Sequence, residues 1–124
     1  MGHAFEPLSS EILAAAVEVH TELGPGFLES VYENAMRVAL RQRGIEHQAQ
    51  KRIAIFFRGE EVGMHRLDLM VDDQIVVEIK AIKNLEDIHF AQVKSYLKAT
   101  KLRVGLLLNF QSPTLIAKRV VFDE

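Results

Sequence analysis

Cysteine is absent from this 124-residue chain. That excludes disulfides, iron–sulfur clusters, thiolate zinc sites and a cysteine nucleophile together. Proline and glycine are scarce, at 3 and 7 residues, and no stretch reads as a linker, a low-complexity segment or a repeat array. No apolar run approaches the ~18 residues that a membrane helix needs. Met1-Gly2-His3-Ala4-Phe5-Glu6 lacks a signal-peptide pattern. The expectation is a soluble, cytoplasmic protein with no membrane partner. An excess of positive charge is missing too, because 15 Lys plus Arg stand against 17 Asp plus Glu, a net charge of −2. A sequence-independent DNA coat needs the opposite balance, so any nucleic-acid contact is confined to one face.

What is present is a globular composition, 48% hydrophobic and 26% charged. A chain of this length buries roughly two-thirds of its unfolded surface, which predicts one domain over residues 1–124. Helical spacing opens the chain. Ser9 or Ser10 caps a helix with Glu11 in its first turn, and Ile12, Ala16, His20 and Leu23 recur at three- and four-residue steps with Leu13 and Val17 beside them. Gly24-Pro25-Gly26 ends it. A second helix is predicted from Leu28 to Arg43, with Leu28, Val31, Tyr32, Ala35, Val38 and Ala39 as its apolar side. After Gly44 the period becomes two. Arg52–Phe57 and Gly63–Val71 read as strands around a hairpin loop at Phe57–Glu61, and Asp72-Asp73 turns the chain into a third strand, Gln74–Lys80. A helix over Leu85–Thr100, an apolar strand over Arg103–Phe110 and a last strand over Leu115–Phe122 complete the order α-α-β-β-β-α-β-β. The fold class is an α/β sandwich, a mixed sheet flanked by helices.

The densest polar signal in an apolar setting is Asp68, within Leu67-Asp68-Leu69-Met70-Val71, together with Glu78 and Lys80, within Ile75–Ile82. Residues two apart on a strand share a face, so Glu78 and Lys80 lie together about 7 Å apart. The turn at Asp72-Asp73 brings Asp68 level with Glu78. Two close carboxylates repel unless positive charge sits between them. Lys80 supplies some, and a divalent cation with oxygen ligands, Mg²⁺ or Mn²⁺, supplies more. The plainer alternative is a solvated strand face with cross-strand ion pairs.

Asp68, a spacer, then Glu78-Ile79-Lys80 resembles the signature of the PD-(D/E)XK phosphodiesterase superfamily. Gly26-Phe27-Leu28-Glu29-Ser30-Val31-Tyr32, preceded by His20 and Leu23-Gly24-Pro25, is similar to the motif that names the GxxExxY protein family, a branch of that superfamily. His65–Leu69, Val77–Ala81, Ala91–Leu97 and Gly105–Phe110 agree in order, and the resemblance covers about residues 8–122. It implies a restriction-endonuclease-like core and a Mg²⁺-dependent (or Mn²⁺-dependent) nuclease, with nucleic acid as partner and DNA ahead of RNA. Asp68 and Glu78 become metal ligands, with the Ile79 carbonyl a third, and Lys80 positions the attacking water. Glu29 adds an acid, Gln92 and Tyr96 resemble a Q-x-x-x-Y motif facing substrate, and Tyr32 is a further substrate-side residue. Leu67 stands where the signature has proline. The alternative is a binding module of the same fold that does not cut, and a homodimer or partner chain would complete its small basic surface.

Glu29 shares a helix face with Tyr32 and Met36, although an acid in a first helical turn is also favoured by the dipole alone. His89, Gln92 and Tyr96 are expected on one face of the third helix, opposite Phe90, Val93 and Leu97. Tyr96 then either lines a site or packs with its hydroxyl in water. His20 reads as a hydrogen-bonded core histidine. His65 is expected to face away from Asp68, and His3 and His47 carry no pattern. Lys94, Lys98 and Lys101 repeat at i, i+4 and i+7, either as a phosphate-tracking ridge or as a solvated face.

Overall fold

The computed structural model describes residues 6–123; His3 lies outside them. The chain runs α1 (Glu6–Leu23), α2 (Glu29–Gln42), β1 (His47–Phe57), β2 (Glu60–Val71), β3 (Ile75–Lys80), α3 (Asp87–Thr100), β4 (Val104–Asn109) and β5 (Ile116–Val121). The strands lie in sequence order in one sheet, with β1 and β5 outermost. β3 and β4 are parallel and the other neighbours antiparallel. A parallel pair needs a crossover, and α3 is that crossover. The predicted order and the mixed, helix-flanked sheet are those of the structure.

Two apolar clusters put helices on both sides of the sheet. Ile12, Ala16, Tyr32, Met36 and Leu40 of α1 and α2 pack with Leu69, Val77, Ile79 and Leu106. Val93, Tyr96 and Leu97 of α3 pack with Leu67, Met70, Val76 and Leu107 on the other face. β3 and β4 are covered on both sides, which is why they read as continuous apolar runs. At Gly105 an added Cβ would stand 2.7 Å from a methyl of Val93. The absence of a side chain there is what lets α3 lie against β4.

Several element ends differ from expectation, each for a local reason. α1 starts at Glu6 rather than at a Ser9 or Ser10 cap. Pro7 suits a first helical turn, where its missing N–H is not needed, and Ser9 is buried inside the helix with its hydroxyl unpartnered. β1 begins five residues earlier than the alternation suggested, at His47. The hairpin loop shrinks to Arg58-Gly59, both with positive φ (52° and 82°), the geometry of a tight two-residue hairpin. The buried stripe of α2 is Tyr32, Met36, Ala39 and Leu40, while Leu28, Val31 and Val38 are exposed. Val17 of α1 is exposed as well. Apolar type alone did not set the phase of these helices; the direction of the sheet did.

Candidate active site

The β2–β3 ladder pairs Val71 with Ile75, Met70 with Val76 and Leu69 with Val77, and there it stops. One step further, Asp68 would face Glu78. Instead the Asp68 side chain takes over the sheet's role, and its Oδ2 accepts the Ile79 N–H at 2.8 Å. The side-chain alternation of β2 breaks at the same point, since Leu67 packs on the α3 side and Leu69 on the α1–α2 side. The strands therefore part at the carboxylates. The Lys80 carbonyl bonds Phe110 N toward β4, so the Ile79 carbonyl projects to the opposite edge, into the gap with Asp68.

Glu78 is 5% exposed and Lys80 lies beside it, with Nζ 3.8 Å from Oε2. The other oxygen, Oε1, is buried without a hydrogen-bond partner. Burial first, then the neighbouring Asp68, pushes the Glu78 carboxyl up to about 8, against the pull of Lys80. Asp68 is also raised, chiefly by burial, with the Ile79 N–H bond and Lys80 working the other way. Glu29 reaches the same place from α2, where its Oε2 accepts the Ala81 N–H at 3.2 Å. An orphaned, desolvated carboxylate oxygen beside a second carboxylate fits a cation. Among the described residues no three or more acidic or histidine groups gather into a closed metal cage. Asp68, Glu78 and the Ile79 carbonyl are oxygen donors of the kind that Mg²⁺ takes, and it fills its other positions with water.

Tyr96 is buried, packs edge-on to His65 at 4.5 Å, and has its phenol raised to about 12 by burial and by the charges of Glu78 and Asp68. It therefore belongs to the buried face of α3 with Val93 and Leu97, not to the opposite face. His89 closes a capping box with Glu86. Gln92 is half-buried, and its carbonyl accepts from Ser95. His65 bonds Ser95 and packs on Tyr96 rather than turning to Asp68. Tyr32, expected on the substrate side, is wholly buried. Its hydroxyl donates to the Gly24 carbonyl at 2.6 Å and accepts from Phe27 N at 3.1 Å, and its ring stacks on Phe110. Tyr32 thus fixes the loop from which Glu29 starts α2, and touches nothing outside the protein. His20 is the hydrogen-bonded core histidine expected, bonded to the Ser112 carbonyl.

Two residues of the cluster escaped sequence reasoning. Gln50 interrupts β1 with a left-handed φ of 53° and is skipped by the β1–β2 ladder. Its amide donates to Glu33 at 2.7 Å and lies 3.5 Å from Asp68 Oδ1. Glu33 is raised by burial and by Asp68, partly offset by Gln50 and Arg37. The i, i+4 spacing from Glu29 to Glu33 was the available signal; nothing in the sequence marked Gln50. Of the basic residues, Arg43 is consumed by Glu11 and Glu18, and Arg103 by Asp123. Lys101 stands just past α3 as its left-handed C-cap, so the lysine ridge ends at Lys98.

A mixed sheet between helices, split where an acid and an acid-x-lysine meet, is a restriction-endonuclease-like α/β sandwich. The chain belongs to the PD-(D/E)XK nuclease superfamily, whose sequence model matches residues 6–120. No curated protein matches it. Among solved structures it is similar to the protein described as SSO0001, at TM-score 0.62 and 16% identity over 97% of this chain. The chain spans 60% of that protein's length. It is also similar to an alkaline exonuclease (LHK-Exo) from Laribacter hongkongensis, at TM-score 0.55 and 12% identity, covering 99% of this chain and 73% of the other. No helix among the described residues is long and apolar enough to cross a membrane.

Proposed function

We propose that this protein hydrolyses phosphodiester bonds of nucleic acid, DNA ahead of RNA, with Mg²⁺ or Mn²⁺ as cofactor. The observation that supports this reading is the parted β2–β3 pair, where Asp68 accepts the Ile79 N–H and the buried Glu78, one of its oxygens orphaned, lies beside Lys80. Asp68 and Glu78 would hold the cation, with the Ile79 carbonyl as a third donor and Glu29 assisting from α2. The chemistry such a cation would supply is polarisation of the phosphoryl oxygen and a lowered pKa for a bound water. Lys80, held by Glu78, orients the water and stabilises charge as it builds on the phosphate. Gln92 and Tyr96 line the α3 side of the gap. The motif around Glu29 supports membership of the GxxExxY branch. We take residues 1–124 as one nuclease-like domain working in the cytoplasm, alone, as a homodimer or with a partner chain.

Labelled single- and double-stranded DNA and RNA, incubated with Mg²⁺ or Mn²⁺, test this reading. Cleavage is expected to need the cation and to fall at least a hundredfold in Asp68→Asn, Glu78→Gln and Lys80→Ala, as on loss of one preorganised group. Undiminished cutting by Asp68→Asn, or cation-independent cutting, contradicts it. Binding without any cutting leaves the non-catalytic module as the function.

A further inference from the structure

The β1–β2 hairpin extends well past the helices. The apolar contacts of α1 and α2 on β1 end at Ala49, and everything from Phe56 to Met64 is exposed. The exposed part is apolar at its tip, where Phe56 is 63% and Phe57 60% exposed, with Val62 and Met64 nearby. It is also basic in a chain of net charge −2, carrying Arg52, Arg58 and Arg66 against Glu60 and Glu61. Arg52 and Arg66 are direct cross-strand partners. Their strand neighbours Ile53 and His65 turn to the α3 side, so the two arginines share the opposite face, the one the helices leave open. Both are exposed, and neither pairs with a carboxylate among the described residues. Like charges directly opposite on a sheet repel. A bound anion reverses that sign.

We propose that the open face and tip of this hairpin form a track for single-stranded nucleic acid: Arg52 and Arg66 grip backbone phosphate, and Phe56, on the same face, and Phe57, at the tip, stack on unpaired bases. A basic groove with exposed rings is the combination by which proteins hold single strands regardless of sequence. Arg58 lies 4.9 Å from the centre of the Phe57 ring, which holds that ring in place and adds positive charge at the tip. The proposal rests on the nuclease reading for its choice of partner, but its test does not depend on catalysis.

The test is fluorescence anisotropy of a labelled oligothymidine in EDTA, where no cutting occurs, read across a salt series. Removing both arginines (Arg52→Gln with Arg66→Gln) is expected to weaken binding and to flatten the salt dependence by about one unit of slope per arginine. Phe56→Leu with Phe57→Leu is expected to weaken binding about tenfold while leaving the salt slope intact. All four side chains are exposed, so the variants keep the wild-type melting temperature. Unchanged affinity in both variants, or no oligothymidine binding by the wild type, overturns the proposal. So does sedimentation showing that the same substitutions split a dimer, which makes the face a contact between copies. If Asp68→Asn abolishes cutting while hairpin variants bind normally, the nuclease reading stands and this inference falls. If binding needs the hairpin but nothing is cut, the reverse holds.

Discussion

Gln50 is a non-glycine residue held left-handed in the middle of a strand, a conformation that costs about 1–2 kcal/mol. What keeps it there is its amide, which spans Glu33 and Asp68. Two substitutions separate the backbone cost from the side-chain contact. Gln50→Ala and Gln50→Gly both remove the amide, but only glycine relieves the dihedral. The glycine variant should therefore be more stable than the alanine variant by about 1 kcal/mol in urea unfolding, with both less active than wild type. Equal stability of the two variants contradicts a strained Gln50. The residue was not legible in the sequence because a left-handed residue inside a strand has no compositional mark when it is neither Gly nor Asn. Asp68, Glu78 and Lys80 were legible for the opposite reason: charge inside an apolar run is rare enough to stand out. Tyr32 shows where that logic misleads, since a tyrosine within a recognisable motif turned out to be fixing a loop.

At the scale of elements, the strand carrying Glu78 and Lys80 needs its end held in place, and Asn109 of the neighbouring β4 does this. Asn109 is fully buried, donates to the Ile82 carbonyl at 2.9 Å and accepts the Ile82 N–H at 3.1 Å. Asn109→Ala leaves both Ile82 groups unpaired and should cost about 2 kcal/mol of stability, together with activity out of proportion to that loss. A drop below about 0.5 kcal/mol in chemical denaturation would mean water replaces the amide. Elements were read well by type and order because periodicity reports them directly. Their ends were read less well. Strand β1 is longer than its alternation suggested, as its first residues pair with β2 while their side chains lie half in solvent. The phase of α2 was shifted because Leu28, Val31 and Val38 are apolar yet unburied, and only the position of the sheet decides which side is inside.

For the whole molecule, the buried acid of Glu78 links stability to pH. Its folded-state carboxyl sits near 8 against an ordinary 4.5, so between those values the folded protein binds more protons than the unfolded one. Stability of the cation-free protein from this group is complete below about 4.5 and is lost as pH rises through about 8. Asp68, raised as well, acts in the same direction. Melting temperature in EDTA should fall from pH 5 to pH 8.5, Glu78→Gln should flatten that fall, and Mg²⁺ should raise the melting temperature more at the higher pH. A flat profile in the wild type, or an Mg²⁺ effect independent of pH, contradicts a desolvated Glu78. The interruption of β1 at Gln50 has one more consequence. β1 is an outer strand of 11 residues with one backbone edge unpaired within the sheet, the kind of edge on which another chain can nucleate aggregation. A left-handed residue in its middle, followed by Lys51 and Arg52, interrupts that edge, so the residue that strains the strand also makes it a poorer template for pairing.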